Sequence, residues 1–288
     1  MKNVARTYAA NRVGTSMRAG ILLAALVVGM HPLPASAQVL LSPGQLDQLV
    51  SRVALYPDPL LSQVLTASTY SEQIPDAAQW ADQHSYLTGD NLAGAISQDN
   101  LPWDPSILAL LPFPSVLDIM ASNIFWTRQL GDAVLGQSAD VMDAVQRMRQ
   151  KARDFGYLQN GPQYRVIVSG PGIIEILPVD PGLYFLPVYD PLIVFGRPRA
   201  GVGIGISFGP RIAIGAAFAP WGWGRSGFGW ANHTVLLDGR PWVRTRENHQ
   251  TYSHPYTVPR QPVGARVERH ELRPTQPKRR VDPRDKKQ

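Results

Sequence analysis

Near position 161 the spacing of apolar residues changes from about 3.6 to about 2, and this switch limits the chain to helices followed by strands. Before it, Leu46, Leu49, Val50 and Val53 recur at helical spacing behind Ser42-Pro43, an N-cap followed by the residue best tolerated at the first helical position. Tyr56-Pro57 ends that helix, and Asp58-Pro59 opens another with Leu60, Leu61, Val64 and Leu65 facing inward. Proline-punctuated patterns predict further short helices over 75–83, 91–98, 104–111, 115–121 and 123–135. The longest is expected over 138–155, with Val141, Val145, Met148 and Ala152 as its buried stripe. Asp140 and Asp143 lie early in it, and Arg149, Lys151 and Arg153 late, as the helix dipole favours; Gly156 is placed to close it in a left-handed conformation.

After the switch, Tyr164, Val166 and Val168 alternate with polar or outward positions, and Gly170-Pro171-Gly172 turns the chain. Ile174 and Ile176 then alternate with Glu175, so 163–178 reads as a β-hairpin. A third strand over 183–189 contains Pro187, which places it at an edge or a bulge. Beyond it, Gly201, Gly203 and Gly205 alternate with Val202, Ile204 and Ile206, and Trp221, Trp223 and Trp230 follow among more glycines. That pattern fits either a strand with one bare face or a loosely ordered linker. From about 251 the chain is rich in proline and charge and reads as a disordered tail. The expected class is therefore α+β: an N-terminal bundle of short helices (38–160), a small antiparallel β region (161–198), a Gly/Trp-rich β or irregular region (199–250) and a disordered basic tail (251–288).

Residues 1–37 read as an export signal. Lys2, Arg6, Arg12 and Arg18 precede an apolar run over 21–30, and Ala35-Ser36-Ala37 supplies the small-x-small cleavage pattern. The run is near ten residues, about half of what a spanning helix needs. Cleavage would leave a mature chain starting at Gln38. No later segment is long and apolar enough to span a bilayer as a helix, so the expected location is the periplasm or cell envelope, or outside the cell. The sequence has no cysteine, which excludes disulfides, thiol catalysis and a lipidated cysteine at the cleavage site. Four of the positive charges lie in the signal. Residues 38–238 carry 11 basic and 17 acidic side chains, and residues 239–288 carry 13 and 5. An acidic body with a basic tail points to an anionic surface, or to the body itself, as the tail's partner.

Three segments together carry a family resemblance. The first is Leu55-Tyr56-Pro57-Asp58-Pro59-Leu60-Leu61, continuing through Val64, Leu65, Ala67, Ser68, Thr69 and Tyr70. The second is Trp103-Asp104-Pro105-Ser106 with Gly131-Asp132-Ala133 and the helix over 139–147, and the third is Tyr184-Phe185-Leu186-Pro187-Val188-Tyr189-Asp190-Pro191. The chain thus resembles the bacterial family catalogued as domain of unknown function 3300, over about 41–196. The resemblance implies an exported envelope protein; it brings no catalytic residue and no cofactor.

Five aspartates precede prolines: Asp58, Asp104, Asp180, Asp190 and Asp282. They are expected to cap helices or start turns rather than to form a glycosidase-like carboxylate pair. Gly222, Gly224 and Gly227 fit a dinucleotide fingerprint in spacing only, since no helix pattern follows. No nucleophile elbow, phosphate loop or zincin pair occurs. His233, His249, His254 and His270 lack the spacing of a helical metal site, so no metal and no cofactor is expected.

The binding candidates are Trp221, Trp223 and Trp230, which either stack on sugars or bases or pack as core. To these the tail adds Lys278, Arg279 and Arg280, suited to anionic envelope polymers or lipid head groups without sequence-specific reading of nucleic acid. The leading expectation is a non-enzymatic envelope protein that binds a polymer, lipid or protein partner. The alternative is an envelope hydrolase acting on cell-wall material, with Asp190 and one of His233, His249 or His254 as its weak catalytic candidates.

Overall fold

In the computed structural model, residues 40–170, 172–197 and 205–256 are described. Seven helices lead: α1 Pro43–Val50, α2 Asp58–Ser68, α3 Ile74–Gln83, α4 Gly89–Asp99, α5 Pro105–Leu110, α6 Pro114–Ser122 and α7 Ile124–Asp154. Then come β1 Tyr164–Ser169, β2 Ile173–Pro178, β3 Leu183–Tyr189, the one-turn α8 Pro191–Val194, and β4 Ile206–Ala213. The last strands are β5 Gly227–Gly229, β6 Thr234–Leu237 and β7 Arg240–Trp242.

The punctuating prolines are helix starts. All of α1, α2, α3, α5, α6 and α8 carry one in the first two positions, where a missing N–H costs nothing and the fixed φ is already helical. The two helices expected over 123–135 and 138–155 are the arms of α7, interrupted at Gln137, whose φ of −145° and ψ of 40° are not helical. The Gln137 side chain is turned to the residues just before α1. Its Oε1 accepts from Leu41 N at 2.8 Å, and its Nε2 donates to Leu41 O at 3.1 Å. Gly156 closes α7 at φ 79°, as its position suggested.

Helix α2 is the central element, buried along ten of its eleven residues, with α5, α7, β2, β5 and β6 packed against it. Its buried hydroxyls are satisfied locally: Ser62 Oγ donates to Pro59 O, Thr66 Oγ1 to Ser62 O and Ser68 Oγ to Leu65 O.

Strands β1 and β2 form the expected hairpin, with Val166 opposite Ile176 and Val168 opposite Ile174. Strand β3 pairs antiparallel with β4, and the register shifts between Phe185 and Pro187, the bulge that the proline demands. The glycine-rich stretch is thus a strand from Ile206 onward; Gly201 and Gly203 lie outside the described residues. A third antiparallel sheet, β5-β6-β7, is turned at Asp238-Gly239, both at positive φ (51° and 72°). Asp-Gly is the dipeptide that this tight turn favours. Among the described residues, no helix is long and apolar enough to cross a membrane.

Candidate functional site

Asp190 caps α8. Its Oδ1 accepts from Leu192 N at 2.8 Å, and the side chain stands at the rim of a cleft of about 520 Å³. The polar lining is Gln48, Ser51, Arg52, Asn123 and Tyr189, with exposed Leu192 beside them; no histidine reaches this cleft. Asp190 is therefore not brought together with an imidazole to act as base or acid. Asp190→Ala is expected to lower stability by about 0.5–2 kcal/mol through loss of the cap, measured by urea unfolding.

The three histidines are held apart by separate partners. His233 Nε2 meets exposed Asp143 Oδ1 of α7 at 2.8 Å, and His249 Nδ1 faces Arg246 O at 2.6 Å. His254 is buried, with Nε2 3.7 Å from Asp104 Oδ1. Burial depresses the His254 pKa more than the nearby carboxylate of Asp104 raises it. Among the described residues, no three His, Cys, Asp or Glu side chains gather as a metal-binding group.

The tryptophans are core. Trp221, Trp223 and Trp230 are all buried. Trp223 Nε1 donates to Ala109 O at 3.0 Å, and its ring stacks on Phe113 with centroids 5.3 Å apart. Of the two readings of these indoles, packing is the one the geometry supports, because the glycine-rich segment lies over α5 and α2 and needs large side chains to fill that space. Lys278, Arg279, Arg280 and His270 lie outside the described residues. Thr251–Tyr256, assigned to the tail from composition, lie against the body: Tyr256 is buried, and Arg240 Nη1 donates to Pro255 O at 2.8 Å.

Two polar centres were not anticipated. In the first, Asp58 is not a cap but half of a buried ion pair: Arg149 Nη1 lies 2.6 Å from Asp58 Oδ1. Arg149 also donates to the carbonyls of Ala54 (2.8 Å), Tyr56 (3.0 Å) and Ile174 (2.8 Å), and Trp230 Nε1 donates to Asp58 Oδ2 at 2.8 Å. Arg149 therefore does not serve the helix dipole from the surface. A signal existed, since Arg149 falls four residues after Val145 and three before Ala152, on the apolar stripe itself.

In the second centre, Asp104 caps α5 through Ser106 N at 2.9 Å and accepts from Ser106 Oγ at 2.6 Å. The Tyr70 hydroxyl hydrogen-bonds the Asp104 side chain, and the Arg244 guanidinium lies 3.7 Å from the centroid of the Tyr70 ring. Arg244 Nη1 donates to Thr69 O (2.6 Å) and Thr69 Oγ1 (2.7 Å), tying the C-terminal strap to the end of α2. The rings of His254 and Tyr256 meet edge-on at 4.4 Å. Among the described residues, the Tyr256 hydroxyl and both His254 ring nitrogens are buried and take no hydrogen bond. Burial first, and the Asp104 charge after it, push the Tyr70 and Tyr256 phenols well above their ordinary pKa; burial pushes Tyr252 up to about 12.

The surface is also segregated by charge. From position 53 to 127 there is no Lys or Arg, against eight Asp and Glu, of which Asp58 and Asp104 are the buried ones described above. On this lobe Trp80, His84 and Tyr86 form a surface stack, with Trp80 and His84 rings 3.9 Å apart at 18° and Tyr86 76% exposed. Trp80 Nε1 donates to Asp99 Oδ2 at 2.8 Å.

No solved structure matches the chain. "Uncharacterized protein YacH" of Escherichia coli (strain K12) is 35% identical over 217 residues, covering 65% of this chain. The chain spans about 35% of that relative's length. The model of the family described as "Protein of unknown function (DUF3300)" matches residues 42–259. The match includes the Gly/Trp region and the Arg244 strap beyond the 196 suggested by the motifs. By that match, this chain belongs to the DUF3300 family.

Proposed function

We propose that this protein is exported to the bacterial cell envelope and works there by binding rather than by catalysis, through an acidic helical body and a basic C-terminal tail. The observation that carries the reading is the surface of α3 and α4. The α3–α4 segment carries no Lys or Arg, and on it Tyr86 stands in solvent beside the half-buried Trp80–His84 stack, where a purely structural surface would mix both charges and bury large rings. A neutral or cationic polymer or protein suits that face, and the tail, with 10 basic and 4 acidic residues over 257–288, suits an anionic one. The basic, apolar, small-x-small order of residues 1–37 supports export.

Fractionation of cells producing the full chain tests this. The expected result is an envelope or periplasmic protein beginning at Gln38, retained on envelopes at low salt and released as salt rises. Truncation after Tyr256 should weaken that retention while leaving the fold intact. A cytoplasmic protein still bearing residue 1, or retention indifferent to both salt and truncation, would overturn the reading.

A further inference from the structure

We propose that the cleft between the α7–β1 loop and strands β1, β3 and β4 binds a neutral saccharide. The cleft encloses about 330 Å³, within the range of about 300–1,000 Å³ of small-molecule sites. Its floor is apolar, made by Leu55, Val166, Ile176 and Pro187, and its rim carries the amides of Gln159, Asn160 and Gln163. The rings of Tyr157, Tyr164 and Phe208 complete the walls. Among the described residues that line it, none is charged, although the clefts beside α1 contain Arg52, Asp190, Asp47 and Lys151.

These groups are fixed by contacts within the protein. The Tyr164 hydroxyl donates to Phe185 O and accepts from Phe185 N, which ties the hairpin to β3 and leaves the ring to the cleft. Phe208 lies 5.7 Å from it, centroid to centroid, and is 40% exposed, so a ligand can reach the ring. Tyr157 rests on Gly205, where a Cβ would come within 2.1 Å of the ring; the bare backbone of the glycine-rich pattern serves this contact. Gln159 Nε2 donates to Gly156 O at 2.8 Å, and Asn160 Oδ1 accepts from Val166 N at 2.7 Å. Each bond holds one end of an amide and leaves the other for a ligand, an acceptor at Gln159 and a donor at Asn160.

The lining decides the ligand class. A charged ligand would lose its hydration with no counter-charge to meet it. A hydrocarbon chain would cover the amides and leave them unpaired. A peptide strand cannot add to β1 here, because Gly161 N already donates to Tyr164 O at 3.0 Å and Asn160 holds Val166 N. A sugar ring meets all three demands: its C–H face packs on the aromatic rings, and its hydroxyls both donate to and accept from the amides. No residue of α3 or α4 lines the cleft, so the assignment does not rest on the envelope-binding reading.

The test is titration of the isotope-labelled chain from Gln38 onward with the neutral disaccharides cellobiose, maltose and N,N′-diacetylchitobiose at millimolar concentration, followed by the NMR shifts of its amides. At least one of the sugars should move the side-chain amides of Gln159, Asn160 and Gln163, and the shifts should saturate. Phe208→Ala and Gln163→Ala should each weaken that sugar by about two- to tenfold, the range for losing one aromatic or hydrogen-bonded contact. Neither residue belongs to the buried core, so the fold should hold in both variants. Phe125→Ala, which removes an exposed ring outside the lining, should leave the affinity unchanged. No saturable shift with any of these sugars, shifts confined to residues outside the cleft, or an affinity indifferent to both Phe208→Ala and Gln163→Ala would overturn the assignment.

Discussion

Arg149→Leu is expected to lower the stability of the folded body by about 3–5 kcal/mol, the range for removing one partner of a buried pair. The substitution leaves Asp58 buried with its charge uncompensated, and leaves the carbonyls of Ala54, Tyr56 and Ile174 without the donor that serves all three. For a body of this size the loss corresponds to roughly 6–20 °C in Tm. Arg149→Lys should recover little, because one ammonium cannot reproduce a planar fork that reaches three carbonyls and a carboxylate. Asp58→Leu combined with Arg149→Leu should be less damaging than Arg149→Leu alone, since the stranded charge is gone; the partners Trp230 Nε1 and Ile176 N keep the recovery partial. Urea unfolding of the unaltered protein, Arg149→Leu, Arg149→Lys, Asp58→Leu and the double variant measures this. A double variant as unstable as the sum of both singles would show that the pair is not coupled.

Gly131→Ala is expected to destabilise by about 1–3 kcal/mol, the ordinary cost of overpacking a tight core. In an exposed helix the same change would gain about 1 kcal/mol. The sign reverses because a Cβ at Gly131 would lie 2.2 Å from Ser68 O and 2.7 Å from Ser68 C, at the crossing of α7 and α2. Both obstacles are backbone, so the helices must separate. Gly94, where a Cβ meets nothing within 4 Å, is the control: Gly94→Ala on α4 should be neutral or stabilising. Thermal unfolding of the two alanine variants, side by side, separates crowding from helix propensity. Equal shifts for both would remove the close-approach argument.

Much of the secondary structure is legible in the residue order, because it follows from local terms. Proline at helix starts, Gly156 at the end of α7, the period-2 hairpin of β1 and β2 and the bulge at Pro187 are short-range consequences of backbone sterics and hydrophobic spacing. The Asp238-Gly239 turn was equally legible, and the glycine-rich surroundings obscured it.

The candidate site was far less so. Asp-Pro predicts a cap at Asp58 as readily as at Asp104 and Asp190, and nothing local to it announces an arginine ninety-one positions later in the chain. The indoles of Trp221, Trp223 and Trp230 look alike in sequence whether they face solvent or α2 and α5. The order of residues alone determined the helix-to-strand division, the absence of thiol chemistry and the division of charge between body and tail, all of which are properties of composition and spacing. Only the tertiary structure decided that Arg149 is a buried hub, that the tryptophans are core, and that Thr251–Tyr256 join the body with His254 beside Asp104. Those outcomes depend on which distant surfaces meet, and burial then sets the energy of every charge and ring at the contact.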